Sequence, residues 1–350
     1  MLKFIIVFMS ICVSFAEMNT TTWFPKDLED DGVIRSFCLG KEKVFLLAIQ
    51  KQKHKNIPRL YVVDIKDQGN IKAVGNFTFP QKLGKNSLYI SGSSLLAHKD
   101  GYVYIVPPGS YRTSLLVFNV KDPRNIRFVK EVPLFQNRDF IHYVEMPVHI
   151  AVSGNFLFVQ TSRGLSIVNI AQADKFTIVQ EVDDIVFLGT SANSLYYGTQ
   201  KDSLVFYCED FTKSIPELNY IESDPQMRAD NCQLAVVGSS DSSALFTVVK
   251  YKGDSTTHRL NMLKTDNKNA LRMDCKSWEW KKMIDKSSNI SFPYVALQHK
   301  QVTEIYKLQQ EGAPQFVTKL ALENTGFLQL RGKTLFTCTD KDGLVIVSGW

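Results

Sequence analysis

A short pattern recurs along the 350-residue chain. It is an apolar strand ending on an acidic or amide residue, then a polar turn, then a second short strand. The clearest copies span 60–67 with 71–75, 115–123 with 126–130, and 164–170 with 176–180. Weaker copies start at Leu204, Leu260 and Val302, and the last spans 343–347. Starts at 60, 115, 165, 204, 260, 302 and 344 give a mean spacing of about 47 residues, inside the range of four-stranded propeller blades. A unit that small cannot bury its own apolar face, so the units must stack.

A second pair of strand-like runs precedes the recurring pair. The best examples are 148–155 with 156–160, 185–190 with 194–198, and 326–332 with 334–338. Small polar residues between the runs are hairpin signals. A full unit therefore reads strand A, tight turn, strand B, loop, strand C, Asx-containing turn, strand D. The last unit stops after strand C, and the stretch 21–30 is left over near the N-terminus. It is expected to supply the missing outer strand, closing a seven-bladed all-β propeller by pairing the N- and C-terminal segments. Closure removes exposed edges, which is its physical advantage.

The strands of this repeat resemble those of the LVIVP-repeat β-propeller family, most closely over residues 60–180 and 343–347. The resemblance implies a propeller fold and an extracytoplasmic setting. It implies no reaction, because such repeats are architectural and function belongs to a site.

The N-terminus points to the same compartment. Lys3 is followed by the apolar run Phe4 to Phe15, about a dozen residues, which ends in the small-residue pattern Ser14-Phe15-Ala16, the order of a secretory signal. Cleavage is expected after Ala16, leaving one domain over 17–350 with no membrane span. The remaining 334 residues carry a charge of +5 and five cysteines. Acceptor triplets at Asn19, Asn76 and Asn289 mark expected N-glycosylation. Two disulfides are expected in the oxidising compartment. Cys208 with Cys232 would join the fourth and fifth units, and Cys38 with Cys338 would clamp the ring closure.

In a propeller the B–C loops lie together around one mouth of the channel. Here they carry Lys51, Lys53, Lys55, Arg112, Arg163, Lys201, Lys250, Lys252, Lys300 and Lys341, against Asp202, Asp254, Asp340 and Asp342. That one set of loops holds +6, as much as the 41 basic and 35 acidic residues of the whole chain leave over. An anionic extracellular partner, a glycan or an acidic protein, is the expected ligand. The connections from strand D to the next strand A lie around the same mouth and offset this charge with Asp139, Glu145, Asp183, Asp184, Glu222, Asp224 and Glu323.

Enzyme and metal signatures are absent from the sequence. No HExxH or CxxC spacing occurs, and no GxSxG elbow or phosphate-binding glycine loop. No cofactor, no metal and no nucleic-acid partner are expected. The acidic turns at Asp64, Asp67, Asn119, Asp122 and Asp210 are read as turn-formers rather than calcium ligands. Trp278 and Trp280 are read as one face of a D strand. The expected function is a secreted binding or recognition protein without catalytic activity. Its alternatives are a propeller hydrolase with a site over the channel and a structural protein of an extracellular matrix.

Overall fold

The computed structural model describes residues 18–28, 32–52, 55–80, 94–108, 113–135, 146–162, 164–172, 175–183, 185–191, 194–199, 205–210, 217–221, 232–240, 243–252, 255–265, 271–280, 289–291, 293–299, 301–309, 313–322 and 327–350. Between 186 and 289 it extends to side chains only at Leu195 and Tyr197. The expected signal segment and its cleavage point lie outside the described residues.

The strands run in chain order. They are β1 (Asn19–Trp23), β2 (Val33–Leu39), β3 (Lys43–Gln52), β4 (Lys55–Asp64), β5 (Lys72–Thr78), β6 (Leu95–Lys99), β7 (Tyr102–Val106), β8 (Ser114–Asn119) and β9 (Arg127–Pro133). Next come β10 (Pro147–Ser153), β11 (Phe156–Thr161), β12 (Gly164–Asn169), β13 (Thr177–Asp183), β14 (Ile185–Ser191), β15 (Ser194–Thr199), β16 (Val205–Asp210), β17 (Glu217–Ile221) and β18 (Cys232–Ser240). The rest are β19 (Ser243–Lys252), β20 (Ser255–Thr265), β21 (Leu271–Trp280), β22 (Asn289–Ser291), β23 (Tyr294–His299), β24 (Val302–Lys307), β25 (Gln315–Ala321), β26 (Leu328–Arg331), β27 (Thr334–Thr339) and β28 (Gly343–Ser348).

The fold is all-β, a β-propeller. Among the described residues the strands pair into seven antiparallel four-stranded sheets. Six are built from consecutive strands, beginning with β2–β5 and ending with β22–β25; the last has the order β1-β28-β27-β26. The innermost strand of each sheet neighbours that of the next, from β2 through β6, β10, β14, β18 and β22 to β26. β2 in turn sits against β27 and β28 of the last sheet.

Stacking explains the hydropathy of each strand. Both faces of a middle strand are covered by neighbouring sheets, so β8 and β12 are buried from their first residue to the asparagine at their end. Within β3, Phe45 and Leu47 join Val103, Ile105, Leu116 and Phe118 of the second sheet. Val44 and Leu46, on the other face, join Phe336, Leu344 and Ile346 of the last. The outer strands β9 and β13 instead begin with alternating exposed and partly buried residues and are mostly only partly buried thereafter, because one edge and much of one face meet water.

In three sheets the turn after strand C is set by the last side chain of that strand. Asp64 accepts from the N–H of Lys66, Asn119 from that of Lys121, and Asn169 from that of Ala171, at 2.9, 3.0 and 2.9 Å. Asp67 and Asp122 do the same for Gly69 and Arg124. These residues are turn-formers, as their type and spacing implied. The outer strand that follows bulges at a valine in four sheets: Val74, Val129, Val179 and Val317 are each skipped in the pairing with strand C.

Three expectations are corrected. The strand expected over 21–30 pairs with β28 only from Asn19 to Trp23. Trp23 bulges there, and Pro25 has no N–H to offer the ladder. Residues 24–28 then turn away, with the N–H of Leu28 donating to the carbonyl of Pro25 at 3.1 Å. Second, the stretches 50–58 and 250–257 are not open loops. The β3–β4 ladder continues to Gln52 opposite Lys55, and the β19–β20 ladder to Lys252 opposite Ser255. Their polar residues on both faces hid the strand pattern.

Third, Cys38 and Cys338 are not joined by a disulfide. Both are buried, but in different layers. Cys38 packs with Phe45, Leu60 and Leu96 between the first and second sheets. Cys338 packs with Phe336, Leu344 and Phe37 between the last and first. Alternation along β2 turns Phe37 toward the last sheet and Cys38 away from it.

Candidate functional site

Antiparallel order sorts the connections. The A–B and C–D turns collect at one end of the sheets and the B–C hairpins at the other. Of the basic residues picked out in the sequence, the described ones, Lys51, Lys55, Lys250, Lys252 and Lys341, lie at the B–C end.

Two hairpins project from this end. In the second, third, sixth and last sheets, strand C starts one residue before its first central apolar or equivalent position, at Ser114, Gly164, Val302 and Gly343. In the first sheet it starts at Lys55, five residues before Leu60. β20 matches it, with Ser255 five residues before Leu260. Leu47 pairs with Leu60, and Thr247 with Leu260, in the same register. Four further residues at about 3.3 Å each carry these two ladders about 13 Å past the level at which strand C starts in those four sheets.

Lys51 and Lys55 occupy the first arm, opposite Asn56 and Gln52. Lys250 and Lys252 occupy the second, opposite Thr257 and Ser255. Lys53, Arg112, Arg163, Lys201 and Lys300 lie outside the described residues. Lys341 is exposed in the turn between β27 and β28, where Asp340 and Asp342 flank it. The Asp342 N–H donates to Thr339 Oγ1 at 2.8 Å, so that turn is internally organised. The arms, rather than an even ring of loops, are what the strand pairing shows at this end.

The base of the first arm is braced from the N-terminal segment. The Asp27 carboxylate accepts from Arg59 Nη1 at 3.0 Å and from the Tyr61 hydroxyl at 3.1 Å. Asp27 thereby offsets the charge of Arg59, which leaves the lysines as the arm's net positive charge. Tyr61 is almost fully buried and packs edge-on against Trp23 at 6.2 Å. Burial pushes its phenol pKa up.

The remaining sequence candidates separate clearly. Asn19 and Asn76 are exposed on β1 and β5, both outermost strands. Asn289 opens the innermost strand β22, and Ser291 of its triplet accepts a hydrogen bond from the N–H of Gly332 at 3.0 Å. Cys208 lies in β16 opposite Tyr196, and Cys232 opens β18 opposite Lys250. Their side chains are outside the description. Trp278 and Trp280 sit in the outer strand β21, opposite Leu260 and His258, and their side chains are outside the description.

Among the described residues no three His, Cys, Asp or Glu gather as a metal site. No described helix is long and apolar enough to cross a membrane.

The A–B end carries a feature that sequence reasoning passed over. His98, at the end of β6, stacks on Phe45 with ring centroids 4.3 Å apart and planes 20° apart. It lines a cleft of about 270 Å³ between the first and second sheets. Only the isolated histidine was visible in the sequence. The cleft is made by two turns 60 residues apart.

No family model matches the chain, and no curated protein matches it in sequence. Solved structures share its fold. A protein from Lactobacillus plantarum superposes with a TM-score of 0.55 at 10% identity, covering 83% of this chain and 85% of that one. The periplasmic gluconolactonase of Pseudomonas aeruginosa gives 0.54 at 12% identity, covering 90% and 88%. Hsv2 of Kluyveromyces lactis gives 0.52 at 9% identity, covering 88% and 90%. Identities this low carry the propeller fold and no activity.

Proposed function

We propose that the protein is a secreted, single-domain, seven-bladed propeller that binds an anionic extracellular partner at its B–C end and performs no catalysis. The pair of projecting hairpins with Lys51, Lys55, Lys250 and Lys252 is the observation that carries this reading. The two arms belong to the first and fifth sheets, which in a ring of seven stand about 150° apart. A long anion lying across the mouth would meet both. A sulfated glycan suits that spacing best, and an acidic protein face is the other partner with the same chemistry.

The seven-bladed, closed ring is supported by the antiparallel pairing of β1 with β28 and by the contact of β2 with the last sheet. Secretion rests on the leader-like residues before Ala16. Glycosylation at Asn19 and Asn76 fits their exposure on outer strands, and kinship with LVIVP-repeat propellers fits the recurring strand C and its Asx turn.

Heparin chromatography of the mature protein tests the reading. Replacing Lys51 and Lys55 by Gln, or Lys250 and Lys252 by Gln, should each lower the eluting salt, because each lost contact releases fewer counterions. Replacing Lys66, at the opposite end, should not. Equal elution of all variants would reject the B–C end as the binding face.

A further inference from the structure

The cleft at the A–B end is a second place where a ligand fits, independent of the basic arms. Its walls are the turn 40–43 of the first sheet, His98 and Gly101 at the A–B turn of the second, and Val120 and Lys121 after β8. Two glycines keep it open. A Cβ on Gly40 would lie 3.0 Å from the Phe45 ring and 3.3 Å from His98 Nδ1. A Cβ on Gly101, whose φ is +80°, would lie 2.4 Å from Lys121 Cγ.

The chemistry of the walls is mixed in a particular way. Phe45 and Val120 are buried and apolar. Lys41, Lys43 and Lys121 surround them with one opposing acid, Glu42. Asp100 faces His98 from the adjoining turn, 4.0 Å from Lys99. The Lys121 ammonium is held 5.1 Å from the Tyr102 ring centroid. Among the described residues neither nitrogen of the His98 imidazole has a hydrogen-bond partner, although the ring is half-buried. Burial holds its pKa down at about 4, so at neutral pH it offers one donor and one acceptor without charge.

We propose that this cleft binds a small organic anion with an apolar body. The anionic head is met by Lys41, Lys43 and Lys121, the body rests on Phe45 and Val120, and His98 supplies a hydrogen bond. A small cleft with an apolar floor and a few convergent polar groups is the usual form of a ligand site.

Benzoate is a suitable probe, since it carries both a ring and a charge. Acetate and benzyl alcohol carry one each. NMR titration of the mature protein, followed at the His98 imidazole, should show saturable shifts with benzoate. Acetate and benzyl alcohol should bind at least about fivefold more weakly, since each lacks one of the two interactions. The Lys43→Gln/Lys121→Gln variant should lose about fivefold in benzoate affinity while still unfolding in one cooperative transition. Unsaturable benzoate shifts, or undiminished benzoate affinity in a folded Lys43→Gln/Lys121→Gln variant, would overturn the proposal. Heparin elution of that variant should match wild type, which separates this site from the arms.

Discussion

Arg331, the last residue of β26, donates through both ends of its guanidinium to the carbonyls of Gly40 and Lys41, the latter at 2.8 Å. Those carbonyls belong to the turn between β2 and β3, so the contact ties the last sheet to the first. The same position is used elsewhere. Lys99, the last residue of β6, reaches the Gly154 carbonyl in the next sheet's A–B turn. Ser291, the last residue of β22, accepts from Gly332 in the turn that follows β26. The end of an inner strand thus latches the A–B turn of its successor at three of the joints.

Replacing Arg331 by Ala should therefore cost stability. Charge-assisted bonds to two carbonyls at a partly exposed position contribute about 1–2 kcal/mol. Lys should restore only part of the loss, because a single ammonium cannot reproduce the planar fork. Urea unfolding of the three proteins checks this, and a wild-type midpoint for Arg331→Ala would refute the latch.

Gly75 and Gly332 should respond differently to Ala. A Cβ on Gly75 would lie 1.8 Å from the Pro123 carbonyl oxygen, in the turn of the neighbouring sheet. The two sheets must part, at a cost of about 2 kcal/mol or more. Nothing lies within 4 Å of a Cβ on Gly332, but its φ is +57°. That substitution costs only the left-handed backbone, about 1 kcal/mol. Thermal denaturation should rank Gly75→Ala below Gly332→Ala; the reverse order would contradict the packing of Gly75 against Pro123.

The Cys38 and Cys338 thiols are buried, and desolvation raises the Cys38 pKa. Both should resist iodoacetamide in the native protein and react after denaturation without any reductant. Mass spectrometry of the labelled peptides distinguishes this from a bridge, which would need reduction first.

Stability should fall with acid between about pH 6.5 and pH 4. Burial lowers the pKa of His98 and of His149 to about 4, against an unfolded value of 6.5. For His98 the Lys43 charge acts in the same direction and Asp100 against it. In that window the unfolded chain binds protons that the folded one refuses, so unfolding gains with each step down in pH. Below about pH 4 both states are protonated and this contribution no longer changes. Melting temperatures of wild type and the His98→Gln/His149→Gln variant, followed across pH 4–7, should converge at the acid end. Parallel curves would exclude these two groups as the cause.

The repeat made much of the architecture legible. Each copy of strand C is legible to within a few residues, and the type of Asp64, Asn119 and Asp122 marks the turns they form. These are local matters: an apolar run buried on both faces has one reading, and an Asx side chain bonds its own backbone wherever it stands. The long β3–β4 and β19–β20 hairpins are not legible, because Lys51-Gln52 and Lys250-Tyr251-Lys252 show no alternation of apolar and polar residues to mark a strand.

By itself, then, the sequence determined the all-β class, the four-strand period and the C–D turns formed by Asp64, Asn119 and Asn169. Those follow from hydropathy and from bonds between near neighbours. Only the tertiary structure decided that Cys38 and Cys338 face different layers, that Arg331 meets the turn after β2, and that His98 stacks on Phe45 beside an open cleft. Each of these joins residues from different sheets, whose relative facing depends on strand register and sheet stacking. No local pattern in the chain encodes that facing.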